Sequence, residues 1–470
     1  MLEQRQLYGC SLEGGGKTII VEYFQNNVAK PPHVGHLRSA VIGDAIKRIL
    51  LSQGYDAVSD THVGDWGTQF GILLYAYKEA DEATKKKIED DPFHELEMLY
   101  QDVQKREGII ELGKKEFARL EQGDEENRKI WEWMVAISMK KLEESARRLQ
   151  LLPFDEHKGE SAYEKMMPAL VEKALQKGVA KRTEDGAVIV DLTHEALDEA
   201  ILIKSDGAST YLLRDLATIQ YRKEHWRFWK NLYVVDVRQS HHFKQLFRVA
   251  ELLGFEGAEE SEHIEYGFMK LPEGIISTRK GVTVSLEAVL DEATDRAHAV
   301  IQEKNPELKN ADRVAEMVGL AAIKYFDLLH NRRSDIIFRW DEALSFEGDT
   351  GPYLQYTYAR LKSILRKLGG QKQSLIVEEA ALDNVEHRLL ASLLYFPEAI
   401  NDALAEFMPN ILARYLYQLA GLANEFYHSS PVTQEPDEKK KNVRAVLISG
   451  VAITLSKGLL LLGIEAPEEM

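Results

Sequence analysis

Two imidazoles and a glycine lie close together in the run Asn27-Val28-Ala29-Lys30-Pro31-Pro32-His33-Val34-Gly35-His36-Leu37-Arg38-Ser39, a combination suited to handling phosphate. His33 and His36 are one helical turn apart, and both can donate hydrogen bonds to phosphate oxygens. Such groups need a rigid mount. Upstream, Thr18-Ile19-Ile20-Val21-Glu22-Tyr23-Phe24 reads as a buried β-strand, which Pro31-Pro32 stops before a helix begins. Downstream, Leu37, Val41, Ala45, Ile46 and Ile49 recur at helical spacing until Gly54 closes the helix. A helix that starts here offers unpaired N–H groups and a positive dipole end, and Gly35 lets a ligand approach the backbone without meeting a Cβ. Read purely structurally, the two histidines are polar residues beside a helix cap. Zinc fits less well, because the chain has a single cysteine and no obvious carboxylate completes a ligand set.

Composition narrows the class. A chain of 470 residues with 44% hydrophobic content predicts roughly two to four domains of a globular protein. The lone Cys10 excludes an intramolecular disulfide framework and suits a reducing cytoplasm. The start, Met1-Leu2-Glu3-Gln4-Arg5-Gln6, lacks the basic and apolar regions of a signal peptide. The most apolar stretch, Ala445 to Ser456 and on to Leu462, is interrupted by Ser449, Thr454, Ser456 and Lys457, short of the ~20 apolar residues a membrane span needs. It reads as the core helix of a bundle, so a cytoplasmic protein without membrane contact is expected. The net charge of −17 argues against a generic nucleic-acid binder but leaves room for a local basic track.

Residues 18–74 read as strand, helix, short strand, loop and helix, the opening of a doubly wound α/β nucleotide-binding sheet. From about 78 to 150 the text turns to long charged helices, expected as an insertion. Ala187–Leu192 and Leu232–Asp236 then read as strands that complete the sheet in space. Beyond about 285 the signals are helical. Gly14-Gly15-Gly16-Lys17-Thr18 imitates a phosphate-binding loop, but a strand follows it where a helix is required.

Lys30 to Ser39, followed by His62-Val63-Gly64-Asp65-Trp66-Gly67-Thr68-Gln69-Phe70-Gly71, closely resembles the class I aminoacyl-tRNA synthetases, and among them the arginyl-tRNA synthetases. The resemblance extends from Thr18 to Met470. It implies a Rossmann-type parallel-sheet catalytic domain with a helical insertion over residues 1–284, a helical stem over 285–345 and an all-α anticodon-binding bundle over 346–470. It implies ATP and Mg²⁺, L-arginine and tRNA(Arg) as the molecules bound, with arginyl-adenylate formed first, only when tRNA is present. A monomer is expected. Only about 17 residues precede the first strand, so the N-terminal domain common in the family is expected to be absent.

The same resemblance assigns residues. His33 and His36, with Lys30 and Lys280, are the implied catalytic donors. Gly35, Ser277, Arg279 and Lys280 join the imidazoles at ATP. The family's lysine-rich loop is here Ile275-Ile276-Ser277-Thr278-Arg279-Lys280-Gly281, with Ile275 and Thr278 in place of its lysines, and Lys30 is implied to compensate. The arginine site is implied to be Asn27, Glu160, Tyr211, Asp215 and Gln239. Two carboxylates can satisfy a planar guanidinium with paired hydrogen bonds that an ammonium cannot reproduce. By spacing alone, Tyr211 and Asp215 share one helix face, Asp215 is an ion-pair partner of Arg214 or Arg222, and Glu160 is a loop carboxylate. The implied anticodon contacts are Tyr353, Tyr356, Tyr427 and Met470, with Pro431 replacing an aromatic found in some members. Two other readings compete: a catalytically weakened tRNA-binding paralogue, and an arginyl-adenylate ligase with a non-tRNA acceptor.

Overall fold

The structure, a computed structural model, describes residues 4, 7–28, 30–271, 274–275, 285–369 and 382–470. Its strands are β1 (Thr18–Glu22), β2 (Asp56–Asp60), β3 (Lys181–Arg182), β4 (Val188–Val190), β5 (Ala200–Ile203), β6 (Lys230–Tyr233), β7 (Ser261–His263), β8 (Met269–Leu271), β9 (Gly274–Ile275) and β10 (Ile336–Ile337). The central sheet is parallel throughout, in the order β2-β1-β6-β7. Burial on both faces explains why the middle of β1, Ile19 to Val21, is apolar at every position and does not alternate.

One expectation is corrected here. Val188–Val190 does not complete the central sheet but forms a separate antiparallel sheet, β3-β4-β5, with its own apolar core. The turn from Thr183 to Ala187, with Gly186 at φ +93°, closes β3 onto β4 as a hairpin, and local antiparallel pairing wins over the distant parallel edge. Gly14 to Lys17 is indeed a turn that leads into β1.

Four helices between β2 and β3, from Glu82–Asp90 to Glu125–Arg148, fall in the stretch 78–150 expected as an insertion, and Thr68–Glu79 packs against them. A Cβ on Gly71 would lie 1.9 Å from the Gly113 carbonyl, so the helices Thr68–Glu79 and Ile109–Glu121 cross with their backbones in contact. The helix Leu37–Ser52 is buried almost all round, including Arg38, Asp44 and Lys47. Its Gly43 packs on the Tyr23 ring, where a Cβ would sit 2.3 Å away.

The helices Leu286–Lys304 and Ala311–Leu329 pack together, and a bundle follows, built from Gly351–Lys367, Asn384–Leu394, Phe396–Ala405, Pro409–Ser429 and Glu438–Leu461. The last is long and apolar enough to cross a membrane, yet 67% of its apolar window is buried inside the bundle, as a core helix requires. Bundle and sheet are tied by buried arginines. Arg332 donates from Nε to the Phe407 carbonyl at 3.1 Å and from Nη1 to the Glu265 carbonyl at 2.6 Å. Arg38 pairs with Asp327 at 3.2 Å and donates to the Gly267 carbonyl at 2.6 Å.

Candidate active site

The chain leaving β1 passes through Phe24, buried and held at φ +60°, an unusual conformation for an aromatic residue. Ser39 secures it, accepting from the Phe24 N–H at 3.0 Å and donating to the Val234 carbonyl beyond β6 at 2.8 Å. Before the helix Leu37–Ser52 comes a short 3₁₀ turn, Val34–His36, and the two histidines cap it reciprocally. His33 Nδ1 accepts the Gly35 N–H at 3.0 Å, and His36 Nδ1 accepts the His33 N–H at 3.1 Å, with the rings 3.9 Å apart.

A ring nitrogen that accepts a hydrogen bond carries no proton, so this network assigns the proton of each neutral ring to Nε2. Both rings are held neutral. Burial lowers the pKa of His36 to about 3, with the neighbouring His33 and Lys30 adding to the effect, and burial followed by Lys30 lowers that of His33. Neither Nε2 has a partner among the described residues, which leaves two N–H donors for a ligand. Gly35 is required by the cap itself, since a Cβ there would lie 2.7 Å from the His33 ring.

The imidazoles stand where ligands of doubly wound sheets bind. β1 is flanked by β2 and β6, so the segments leaving β1 and β6 diverge and open a crevice at their carboxyl ends. After β6 comes the turn Val237–Gln239, capped by Asp236, which leaves Gln239 exposed at the head of the helix Ser240–Leu252. Arg222 fixes the neighbouring strand ends. Fully buried, it donates to Glu22 of β1 at 2.6 Å and Asp60 of β2 at 2.7 Å.

A cavity of about 610 Å³ adjoins this edge, lined by Asn27, Lys30, Glu160 and Tyr211, with Arg214 and the insertion's Tyr100 and Phe117. Lys30 lies 5.2 Å from the Tyr100 ring centre and reaches Gln69 at 3.4 Å. The run from His62 to Gly71 builds the cavity's base. Gly64 abuts Asn27, whose Oδ1 would be 2.1 Å from a Cβ at that position. Asp65 accepts from the Ser161 N–H at 2.9 Å and its hydroxyl at 2.6 Å, which holds the loop carrying Glu160.

Asp215 lies one turn beyond Tyr211 in the helix Tyr211–Trp226 and does not line the cavity. The ion-pair reading from spacing is corrected. Arg214 pairs with Glu160, Arg222 with Glu22 and Asp60, and Asp215 with His242 Nε2 at 2.6 Å and His62 Nε2 at 3.4 Å. Burial raises the Asp215 carboxyl, but the two imidazoles outweigh it and hold the pKa well below the ordinary value. Burial likewise opposes charge on His62, yet Glu22 and Asp215 lift its pKa to about 9. Sequence spacing does not single out His62 or His242 and offers Arg214 only as a partner for Asp215, although His62 opens the matching stretch His62–Gly71. Ser277, Arg279 and Lys280 fall outside the described residues. Ser285, just beyond that segment, bridges to His33.

On the bundle, Tyr356 and Tyr427 are exposed, and Arg360 places its guanidinium 4.8 and 5.3 Å from their ring centres. Tyr353 is half-buried and its hydroxyl accepts from Asn424 at 2.8 Å. Met470 and Phe346 both pack against the small core of Ala297, Ile301, Val314, Ala315 and Val318, and the Phe346 ring is 6.2 Å from that of Tyr356.

The family of class I tRNA synthetases (R), catalytic domain, matches residues 1–340, and the DALR anticodon-binding domain matches residues 354–470. The chain belongs to the class I arginyl-tRNA synthetases. Curated arginine–tRNA ligases of Halothermothrix orenii and Clostridium acetobutylicum are 38% and 39% identical to this synthetase, over 100% of its chain and 83% of theirs. The solved arginyl-tRNA synthetase of Thermus thermophilus superposes with a TM-score of 0.81 at 29% identity, over 100% of this chain and 86% of that one. The synthetase is an arginine–tRNA ligase, with ATP, arginine and tRNA as substrates. These comparisons favour the ligase over the two competing readings.

Proposed function

We propose that the imidazole-bearing turn grips the triphosphate of ATP while the adjoining cavity selects arginine. The pair of Nε2–H donors without a partner among the described residues, at the carboxyl ends of β1 and β6, carries the reading. In the first step the arginine carboxylate attacks the α-phosphorus in line and pyrophosphate leaves. In the second, the terminal ribose hydroxyl of tRNA(Arg) attacks the adenylate carbonyl and AMP leaves.

Here the protein's work is positioning and charge stabilisation. His33, His36, Lys30 and Lys280 donate to the phosphates, with Gly35, Ser277 and Arg279 completing the ATP site. No protein side chain is assigned to Mg²⁺, which would be held by the triphosphate and would supply charge neutralisation there. Asn27 and Gln239 take the amino-acid backbone of arginine, Glu160 and Tyr211 on the cavity wall take its guanidinium, and Asp215, outside that lining and paired with His62 and His242, leaves those partners to join them. Tyr353, Tyr356, Tyr427 and Met470 meet the anticodon. The enzyme works as a cytoplasmic monomer and activates arginine only with tRNA bound.

Pyrophosphate exchange with and without tRNA, using arginine and lysine in wild type and Asp215→Asn, tests the assignment. Exchange is expected only with arginine plus tRNA. The variant should lose arginine affinity while ATP affinity holds, because an amide leaves guanidinium donors unpaired. Equal losses for both substrates would refute it.

A further inference from the structure

Arg214 stands where a substrate guanidinium is assigned to stand. Its Nη1 donates to Glu160 Oε2 at 2.6 Å, and its Cζ lies 5.0 Å from the centre of the Tyr211 ring. All three residues line the same cavity. The pair is shielded from water, with 7% of the Arg214 side chain and 9% of the Glu160 side chain exposed. Elsewhere the guanidinium is loosely held. Nη2 reaches the Ser209 carbonyl only at 3.5 Å, and the buried Nε has no hydrogen-bond partner among the described residues. Next to it Gly67 is held at φ +113°, so no side chain from that position fills the space beside the guanidinium. One short bond out of five donors, with open cavity alongside, is an arrangement ready for exchange.

We propose that Arg214 is an internal stand-in for the substrate guanidinium, and that arginine binds by displacing it from Glu160 and Tyr211. This rests on the assignment of Glu160 and Tyr211 to arginine. Without Arg214 the empty site would hold a buried, unpaired carboxylate, which is strongly unfavourable and would attract any cation. With Arg214 in place, an incoming group competes against a planar fork. An ammonium replaces that fork with a poorer pair and loses the exchange, whereas a guanidinium replaces it like for like on Glu160, the displaced Arg214 has Glu121 on the same cavity wall to meet, and the gain comes from contacts to the substrate's own amino-acid backbone. Arg214 is therefore a specificity-determining residue: it turns a general attraction for cations into a comparison between guanidinium and everything else.

The test is calorimetric binding of L-arginine and of L-lysine to the full chain in wild type, Arg214→Met, Arg214→Lys and Glu160→Gln. Arg214→Met is expected to bind arginine about tenfold more tightly, the worth of one hydrogen bond between charged groups. Lysine should gain more than arginine, which narrows the discrimination between them. Low-millimolar guanidinium chloride should become a competitor of arginine in this variant. Weaker or unchanged arginine binding, in a variant that melts and binds ATP as wild type does, would overturn the proposal and make Arg214 a support for Glu160. Should Arg214→Met fail to fold, Arg214→Lys keeps the charge without the fork and is expected to shift both ligands in the same direction by less; weaker or unchanged arginine binding there overturns it equally. Glu160→Gln tests the underlying assignment alone. Wild-type arginine affinity in that variant would show that the site is elsewhere, whatever the Arg214 variants do.

Discussion

Replacing His36 by asparagine separates its two jobs. The asparagine carbonyl can still accept the His33 N–H near the position of Nδ1, which keeps the cap, but the donor at Nε2 is gone. One donor to charge that develops in a transition state is typically worth about 10² to 10³ in rate, roughly 3 to 4 kcal/mol. A second figure follows from protonation. A pKa of about 3 against an ordinary 6.5 means that charging the His36 ring costs at most roughly 5 kcal/mol, an upper figure because the ring is partly open to solvent. His36 therefore acts as a neutral Nε2–H donor, and no limb of the rate between pH 5.5 and 8 should belong to His36, a window well above that pKa. The assay is tRNA-dependent pyrophosphate exchange across this range, with histidine nitrogen shifts read by NMR. His36→Asn is expected to fall in rate at every pH with its melting temperature preserved. Activity within about threefold of wild type would refute the donor role, being far below the loss expected of one donor. Titration of His36 between pH 6 and 7 would refute the neutral tautomer.

His62 carries a pH signature in stability. Its folded pKa of about 9 lies above its unfolded value near 6.5, so its contribution is fully present below pH 6.5 and is lost as pH rises through 9. The shift corresponds to on the order of 3 kcal/mol. Urea unfolding at both ends of that window should show this decline in wild type and not in His62→Gln; equal declines would assign it to other groups. On the bundle, Tyr356→Ala and Tyr427→Ala should each weaken tRNA binding by about 1 to 3 kcal/mol, the usual worth of a stacked base, without changing arginine affinity. Filter binding at fixed salt measures the first and calorimetry the second; unchanged tRNA affinity in both variants would place the anticodon elsewhere.

Much of this protein is determined within short stretches of its sequence. The apolar run Thr18–Phe24, the helical spacing from Leu37 to Ile49 and the long apolar helix near the end each encode their element locally, because strand and helix periodicity is a property of neighbours. The histidines and their glycine were legible for the same reason. What tertiary structure alone decided is which charges meet. Nothing in the spacing assigns Glu160 to Arg214, Asp215 to His62 and His242, or Arg222 to Glu22 and Asp60, since those partners come from elements brought together only when the sheet assembles. The separate sheet of Val188–Val190 escaped for a related reason, because a short apolar run carries no label for the sheet it joins. Sequence thus settled the elements and the chemistry they carry, and the packing settled the protonation states, because burial and neighbouring charge exist only in the fold.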